Sequence, residues 1–458
     1  MTPLWTHIEA DAATQGRSSH AWQAYGVSID TRTLQQGDLF VALKAARDGH
    51  DFVAQAAKLG AAAAVVTHRP ADVPSDFPLL IVDDVLQGLI DLGMAARART
   101  EARVIGVTGS VGKTSTKEML KAVLEQQGKT HASVASYNNH CGVPLTLARM
   151  PQDTAYAIIE MGMNHPGEIA PLSKMARPHV GLGTKIAAAH IEACDDIFGI
   201  ALEKASIIDG LEANGVAVFN ANTETFSTMQ RYADRMTLQA YGDGQSNRIV
   251  EINVRDGKLY VTALITEQTV SFSLQTVGQH FALNAVGALV ALHAAGADLG
   301  QGARDMVRWH PVKGRGQTHQ IKFAGQDVVL IDDSYNANPA SMEASLNVLS
   351  QTPAQRRLAI LGDMKELGET SKEAHRAISD LPAMADISAV VTIGQDITAL
   401  HSALGAKAIA HFDTAQACCE QLSGLIEQGD CILVKASLST GLGSVVEALL
   451  ASDYEKSD

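Results

Sequence analysis

The pattern of apolar and polar positions predicts a protein in which short strands alternate with helices. In a first zone, residues 1–84, extended runs flank a helical segment at residues 51–59, which is typical of a small α/β module. The extended runs cover residues 26–30, 39–43 and 62–66.

A second zone, residues 85–312, contains a strand that leads through a glycine-containing loop into a helix. The strand is predicted at residues 104–107 and the helix at residues 116–127. Further strands are predicted at residues 155–161 and 216–220, and a long helix is predicted near residues 201–211. This succession of strands and helices predicts a parallel sheet flanked by helices.

A third zone, residues 313–458, repeats the alternation and predicts a second doubly wound domain of Rossmann-like type. Its strands are predicted at residues 328–332, 358–361, 389–393 and 431–434, with a helix at residues 341–350. The first of these strands is not followed by a G-x-G-x-x-G string, so a dinucleotide cofactor is not expected. The fold class is therefore α/β, in three domains.

Composition and charge narrow the classes of partner. The chain has 458 residues, of which 46% are hydrophobic and 19% charged, enough to build several cores. Its 36 basic and 50 acidic side chains give a formal net charge of -14, which argues against a protein that binds nucleic acid by neutralising phosphates. A small anionic ligand stays possible, because a few local donors can hold it.

The cysteines and the N-terminal segment indicate the compartment. The five cysteines include no C-x-x-C pair, so neither a zinc ribbon nor a disulfide framework is expected. The first ten residues have no basic region followed by an apolar stretch, and the apolar run at residues 61–66 is too short to cross a bilayer. We therefore expect a cytoplasmic protein without stable membrane insertion. A monomer is expected as well, although no sequence feature determines the oligomeric state.

A phosphate-binding loop is predicted between the strand and the helix of the second zone. Gly109 and Gly112 let the backbone curl around one phosphate, Lys113 adds a positive charge, and Thr114 can offer its hydroxyl to Mg²⁺. The loop departs from the strict pattern because Val107 stands at the position of the first glycine. The alternative is an ordinary strand-to-helix turn. The other loop residues expected to bind ATP are Thr108, Ser110 and Val111.

Two further side chains are candidates for binding a metal ion. Glu160 ends an apolar strand, where a carboxylate is costly unless it is paired or bound to metal. The alternative is a glutamate that reaches solvent at the end of its strand. His190 lies in a loop of small residues, and its alternative is a structural or exposed histidine.

Together with their neighbours, these residues resemble a known family. Residues 108–115 are similar to the nucleotide loop of the amide-forming Mur ligases and of their relative folylpolyglutamate synthetase. Residues 28–32, 37–43 and 48–52 are similar to the UDP-sugar module of that family. The resemblance implies a UDP-sugar-binding domain at residues 1–84, an ATP-binding domain at 85–312 and a ligase domain at 313–458.

Later strings resemble one branch of the family, which adds D-alanyl-D-alanine to UDP-N-acetylmuramoyl-tripeptide. The strings cover residues 138–147, 160–169, 332–339 and 360–368. The D-N-P-R string of the tripeptide-forming branch is absent. The resemblance implies an ATP-dependent acid–D-amino-acid ligase that works through an acyl phosphate and makes the pentapeptide precursor of peptidoglycan, for the cell wall and cell division.

Three alternatives stay open at this point. A tripeptide-forming Mur ligase and a folylpolyglutamate-type ligase share the loop and the reaction class. A P-loop regulator or motor would need neither the first nor the third zone.

The resemblance also assigns metal ligands. It implies that Thr114 and Glu160 hold one Mg²⁺, while His190 and a carbamylated Lys204 hold or orient a second. Without the resemblance, Lys204 is an ordinary solvated lysine on a helix. With Lys113, the residues Glu160, His190 and Lys204 are the expected catalytic group.

Residues that bind the substrates follow from the same resemblance. Asn284 would contact adenine, while Arg315 and Asp333 would reach the phosphates and ribose of ATP from the third domain. Their alternatives are a helix cap, a surface arginine and a strand-end aspartate. The residues expected to bind the UDP-linked substrate are Asp30, Thr31, Arg32, Asn138 and Asn139.

The chain departs from the family pattern after its last strand. The usual Lys-Gly-Ser-Arg string is replaced by residues 435–438, Lys-Ala-Ser-Leu. We therefore do not expect the loop after Lys435 to contact a phosphate or carboxylate group of the substrates.

Overall fold

The computed structural model describes residues 2–134, 136–187 and 196–451. Within them, the strands form a two-stranded, a three-stranded, a five-stranded and two six-stranded sheets. The three largest sheets, with the helices packed on them, are named here the first, central and third units. The predicted α/β fold class is confirmed.

The first unit has a five-stranded sheet of mixed direction. In spatial order its strands are Arg17–Ser18, Leu79–Ile81, Ala63–Val66, Asp38–Val41 and Gly26–Ser28. All but the Arg17–Ser18 strand run parallel. A two-stranded ladder, Trp5–Thr6 with Gln23–Ala24, and the helices His7–Thr14, Gly49–Phe52 (3₁₀) and Val53–Lys58 complete the unit.

The central unit is a six-stranded parallel sheet with the glycine loop after one of its middle strands. In spatial order its strands are Thr237–Tyr241, Val216–Asn220, Val180–Gly183, Arg103–Thr108, Tyr156–Glu160 and Thr130–Ala132. Glu160 pairs with Val107, so the carboxyl ends of these two strands lie side by side, where ligands of parallel sheets bind.

Helices cover both faces of the central sheet. They are Val85–Ala98, Lys113–Leu124, Gly142–Ala148, Ile169–Ala176, Ile197–Ala205, Phe226–Tyr232, His280–Ala294 and Leu299–Asp305, with 3₁₀ turns at Ser206–Gly210 and Met306–Arg308. The predicted helix at residues 201–211 therefore begins earlier and ends in a 3₁₀ turn.

An antiparallel sheet that the sequence did not predict packs beside the central sheet. Its strands are Arg248–Arg255, Lys258–Ile265 and Gln268–Leu274. Alternate residues of the middle strand, Leu259, Val261, Ala263 and Ile265, are buried in one cluster with the helix His280–Ala294. The helix thus supplies the apolar partner that this sheet needs.

The third unit is a six-stranded sheet with one antiparallel edge strand. In spatial order its strands are Gln317–Phe323, Gln326–Asp333, Asp430–Lys435, Arg356–Gly362, Ala389–Ile393 and Ala408–Phe412, the first of them antiparallel. Its α-helices are Pro339–Gln351, Ser371–Ala377, Thr398–Ala403, Ala415–Cys419, Leu422–Leu425 and Gly443–Ala451. Its 3₁₀ turns are Gly368–Thr370, Ile378–Asp380, Pro382–Ala385, Gly405–Lys407 and Leu438–Thr440.

The helices of the part of the chain that the structure describes all lack the length or the apolar character needed to cross a membrane. The sheets of the three units lie within residues 17–81, 103–241 and 317–435. The domain boundaries at residues 84 and 312 stay a prediction.

Candidate active site

The glycine loop has the backbone conformation that its sequence predicts. Gly109 and Gly112 have φ angles of +139° and +93°, in the region that side chains disfavour. A Cβ atom on Gly109 would lie 2.0 Å from Oγ1 of Thr184, and one on Gly112 would lie 2.9 Å from the Asn284 side chain. Both glycines are therefore needed for the close packing around the loop.

The strand end at residues 183–187 supports the loop from behind. The backbone N–H groups of Ser110 and Val111 donate to the carbonyl oxygen of Lys185 at 3.0 and 3.1 Å. The buried hydroxyl of Thr184 donates to the Val111 carbonyl at 2.8 Å, and that of Thr108 donates to the Met161 carbonyl at 2.9 Å. The helix Lys113–Leu124 has no side-chain cap at its N-terminus, so the backbone N–H groups of its first turn can donate to a bound anion.

Lys113 lies at the start of this helix, with its ammonium group folded over the loop. Its Nζ donates to the Gly109 carbonyl at 2.7 Å. Desolvation lowers the pKa of Lys113, and Arg315 adds to that effect, whereas Glu160 opposes it. A positive group held at a loop of backbone donors can stabilise a phosphate.

Glu160 is fully buried, and its two carboxylate oxygens have different surroundings. Oε1 accepts hydrogen bonds from the Thr114 hydroxyl at 3.2 Å and from the Asn138 amide at 2.8 Å. Oε2 accepts no hydrogen bond within the described part of the chain. A buried carboxylate with one oxygen on the Thr114 hydroxyl and the other without a hydrogen bond fits the oxygen ligands that Mg²⁺ prefers.

Arg315 reaches the central unit from the segment that leads into the third unit. Its Nη2 donates to the hydroxyl of Ser136 at 3.0 Å, and its guanidinium lies 4.3 Å from the centre of the Tyr335 ring. The Ser136 hydroxyl is in turn 3.4 Å from the hydroxyl of Thr114. The arginine thus lies beside the predicted metal and phosphate ligands.

Asp333 ends a strand of the third unit and faces the same space. Its Oδ2 lies 2.6 Å from Nζ of the buried Lys435 and also accepts a hydrogen bond from the hydroxyl of Ser345. Across the space, desolvation lowers the pKa of His280 to about 4, with Lys435 acting in the same direction and Asp333 against it. His280 is therefore neutral at pH 7.

These groups enclose a cavity of about 270 Å³ between the central and third units. Its wall includes Lys113, Glu160, Asn284, Arg315, Asp333 and Lys435. Cations, hydrogen-bond donors and the Glu160 carboxylate therefore converge on one polar space, which suits a magnesium-bound nucleotide.

Two predicted metal ligands are not seen at this cavity. His190 lies outside the described residues. Lys204 is buried on the helix Ile197–Ala205. The neighbouring Glu203 accepts hydrogen bonds from the N–H groups of Gly167 and Ile169 at 2.8 and 2.7 Å, which ties this helix to the segment after Glu160. The metal role of both residues stays a prediction.

The predicted UDP-substrate residues of the first unit lie just after the strand Gly26–Ser28. The guanidinium of Arg32 holds the Asp30 carboxylate, with Nε 3.0 Å from Oδ1 and Nη2 2.6 Å from Oδ2. This hydrogen bond lowers the pKa of Asp30. The Thr31 hydroxyl lies 3.4 Å from the Gln55 side chain. Arg32 is 85% exposed, so its remaining donors can reach a ligand.

The two predicted asparagines have separate surroundings. Asn138 orients Glu160, as described above. Asn139 accepts hydrogen bonds from the N–H groups of Cys141 and Gly142 at 3.1 and 2.9 Å through its side-chain oxygen. It therefore supports the start of the helix Gly142–Ala148, and a substrate contact by Asn139 stays a prediction.

Sequence reasoning missed several side chains of the cavity wall, among them Ser136, His280 and Asn336. A serine before the double asparagine carries no signal of its own. Asn336 lies inside the string at residues 332–339 that carried the family resemblance, and His280 lies four residues before the predicted Asn284, so both could have been identified. Lys435 was singled out, but not as a partner of Asp333.

Three family models match the chain and together cover most of it. The model "Mur ligase family, catalytic domain" matches residues 23–127. The "Mur ligase middle domain" matches residues 107–292, and the model "Mur ligase, glutamate ligase domain" matches residues 314–438.

Named relatives are similar over nearly their full length. The chain is 37% identical over 429 residues to the UDP-N-acetylmuramoyl-tripeptide–D-alanyl-D-alanine ligase of Escherichia coli strain K12, covering 92% of this chain and 93% of that protein. It is 33% identical over 445 residues to the protein of the same name from Bacillus subtilis strain 168, covering 93% of each.

Solved structures show the same likeness. MurF from Acinetobacter baumannii matches with a TM-score of 0.85 and 29% identity, over 98% of this chain and 99% of that one. The MurF ligase of Thermotoga maritima in complex with ADP matches with a TM-score of 0.79 and 25% identity, over 94% and 98%. A folylpolyglutamate synthase from Mycobacterium tuberculosis complexed with ADP has a TM-score of 0.63 at 17% identity, over 79% and 93%, a likeness in fold alone.

Proposed function

The chain belongs to the Mur ligase family, and we propose that it joins D-alanyl-D-alanine to UDP-N-acetylmuramoyl-tripeptide at the expense of ATP. The observation that carries the proposal is the polar cavity in which Lys113 and Glu160 of the central unit face Arg315 and Asp333 of the third. The near-full-length similarity to two ligases of that name supports the choice of substrates.

The reaction needs an activated carboxylate, because a carboxylate and an amine do not form an amide in water unaided. The terminal carboxylate of the tripeptide attacks the γ-phosphorus of ATP, and ADP leaves. The amine of D-alanyl-D-alanine then attacks the carbonyl carbon of the acyl phosphate, loses a proton and displaces inorganic phosphate. The product is the UDP-linked pentapeptide.

Positioning and charge neutralisation are the work of the protein in both steps. The triphosphate and the carboxylate repel each other, and Lys113, Arg315 and the helix N-terminus at the loop offset that repulsion. Because the donors belong to two units, approach of the third unit to the central one completes the site. It also excludes water that would hydrolyse the acyl phosphate.

Mg²⁺ fits the oxygen atoms that the cavity offers. Thr114 and Glu160 would hold one ion, and its charge would help to neutralise the triphosphate. For a second ion we retain His190 and a carbamylated Lys204, in which Nζ has added to CO₂ and lost a proton. Lys204 is buried on its helix, out of contact with bulk water, and the carbamate assignment itself rests on the family resemblance.

Lys204 can be tested by replacement and rescue. Lys204→Ala should lose ligation, and short-chain carboxylic acids at high concentration should restore part of it by supplying the missing oxygen ligand. Lys204→Arg keeps the positive charge and should stay inactive. Full activity of the arginine variant would exclude the carbamate.

The substrates can be tested by one panel of reactions. ADP release is measured with UDP-muramoyl dipeptide, tripeptide and tetrapeptide and with a folate, each with and without D-alanyl-D-alanine. We expect release only with the tripeptide and D-alanyl-D-alanine together. Release with the dipeptide and a diamino acid, or with folate and glutamate, would assign the chain to another ligase of this fold.

A further inference from the structure

A second lysine lies one turn beyond Lys113 on the helix Lys113–Leu124, and the reaction above does not use it. The side chain of Lys117 is fully buried. Its ammonium donates to the Ser133 carbonyl at 2.8 Å and pairs with the Glu118 carboxylate at 2.8 Å. Burying an ammonium group is costly, so its position calls for a nearby negative charge.

Glu160 supplies such a charge at the active site. Nζ of Lys117 is 3.9 Å from Oε2 of Glu160, close enough for strong attraction but too far for a hydrogen bond. Oε2 is the oxygen that accepts no hydrogen bond within the described residues, whereas Oε1 is held by Thr114 and Asn138. Lys117 therefore attracts this buried oxygen without forming a hydrogen bond to it.

Ser133 fixes both partners of this ion pair. Its carbonyl oxygen accepts from Lys117, and its hydroxyl accepts from the backbone N–H of Glu160 at 3.1 Å. The strand of Glu160 and the helix of Lys117 are thus held at one distance by a single buried residue. The two lysines of the helix have different tasks, since Lys113 lies over the loop and Lys117 lies behind the carboxylate.

We propose that Lys117 is a positioning residue of the ligase, whose charge fixes the orientation of the buried Glu160 carboxylate beside the metal–nucleotide complex and leaves Oε2 without a hydrogen bond. This rests on the proposed function, because it requires that Glu160 bind a divalent cation beside ATP. A hydrogen bond to Oε2 would compete with the metal, whereas a cation at 3.9 Å orients the carboxylate and leaves its lone pairs open.

The test measures metal binding and not turnover. Mn²⁺ binding to the full-length protein saturated with ADP is followed by electron paramagnetic resonance, which counts free Mn²⁺. Lys117→Gln keeps a donor for Ser133 but removes the charge, and Lys117→Met removes both. We expect each to weaken Mn²⁺ binding at least tenfold. The matched control, Glu118→Gln, removes the other ionic partner of Lys117 and should change binding less than twofold.

A double substitution separates positioning from support of the fold. In a Glu160→Gln background, Lys117→Gln should weaken Mn²⁺ binding less than twofold further, because the carboxylate on which it acts is gone. A full tenfold loss in that background would show that Lys117 supports the fold, and would overturn the proposal. Unchanged binding in both single variants would overturn it too.

The wild-type protein separates this proposal from the proposed function. If Mn²⁺ and ADP bind to the wild type, an unchanged Lys117→Gln variant contradicts the role of Lys117 alone. If the wild type binds no Mn²⁺ in the presence of ADP, the metal–nucleotide site itself is wrong, and both proposals fail together.

Discussion

The central unit meets its two neighbours through interfaces of opposite character. At the interface between the first and central units, apolar residues of these two units form one cluster. It includes Trp5 and Val41 of the first unit and Leu145 of the central unit. Hydrogen bonds join the same surfaces, since the Trp5 indole donates to the Ala148 carbonyl at 2.8 Å and Nε of Arg149 donates to the Val27 carbonyl at 2.6 Å.

Toward the third unit, the central unit presents the polar cavity. Among the described residues, the apolar clusters of the third unit consist of residues within 321–450, and those of the central sheet of residues within 102–309. Arg315 and its hydrogen bond to Ser136 connect the two sides.

The difference shows how one chain keeps one substrate site fixed and leaves another free to close. An apolar interface is disrupted only at a large cost in free energy, so the first and central units should move as one body. A polar interface exchanges its contacts for water at little cost, so the third unit can open to admit ATP and close on it. The predictions below test this contrast, from the largest expected effect to the smallest.

Lys113→Ala should have the largest effect on the reaction while leaving both interfaces intact. Removal of the loop ammonium should lower turnover more than about 1000-fold, which corresponds to ~4 kcal/mol of transition-state stabilisation. ADP release in the presence of both substrates measures it. The thermal unfolding midpoint should stay within about 2 °C of the wild type. A variant that keeps more than about a tenth of the turnover would show that the loop does not bind the transferred phosphate.

Leu145→Ala should have the largest effect on stability, because this fully buried side chain lies in the cluster shared by the first and central units. A cavity there should lower the free energy of unfolding by about 2–5 kcal/mol. The three tryptophans, Trp5, Trp22 and Trp309, belong to clusters of these two units, so their fluorescence reports on both. We expect one fluorescence transition, shifted as a whole.

The matched control is Leu349→Ala, an equally buried leucine in a cluster of the third unit. It should lower the midpoint measured by far-ultraviolet circular dichroism and leave the fluorescence transition in place. If both leucine variants shift the fluorescence equally, the third unit is joined to the central one as firmly as the first is.

Arg315→Ala should affect the polar interface moderately. Loss of its bond to Ser136 and of a charge beside the phosphates should lower kcat/KM for ATP about tenfold, or ~1.4 kcal/mol. Stability should fall by less than about 1 kcal/mol, because a polar contact of this kind contributes little net free energy. Arg308→Ala, which breaks the ion pair of a partly exposed arginine with the buried Asp305 away from the cavity, is the control and should leave kcat/KM unchanged. Equal losses in the two variants would remove Arg315 from the site.

The sequence predicted the parts of this arrangement that depend on local pattern. The strand, the two glycines and Lys113 are adjacent in the chain, so the phosphate loop could be predicted without knowledge of the rest. Ser136 could not, because its role comes from an arginine 179 residues away. The antiparallel sheet at residues 248–274 was also missed because its burial depends on another part of the chain. The helix that covers its apolar face, His280–Ala294, follows the three strands in the sequence.

Burial of polar residues was equally hard to predict. Lys204 has the sequence surroundings of a solvated helix lysine, and only the packing of its helix buries it. Hydrogen bonds from side chains to the backbone were hard to predict as well: the exposed Asn139, whose substrate contact stays a prediction, also supports the start of the next helix.

Arg32→Ala should have the smallest effect and should be confined to the first unit. The side chain is 85% exposed and already engaged with Asp30, so its loss should raise the KM for the UDP-linked substrate by about three- to tenfold, ~1 kcal/mol. The KM for ATP should not change, because the first unit moves with the central one and the nucleotide cavity stays intact. Initial rates with each substrate varied in turn give both constants. Arg17→Ala makes the same change of charge on the exposed edge strand of this sheet and should alter neither constant. A rise in both constants with Arg32→Ala alone would mean that this exposed arginine affects the nucleotide cavity as well. The first unit would then influence the closing interface, and the contrast between the two interfaces would have to be abandoned.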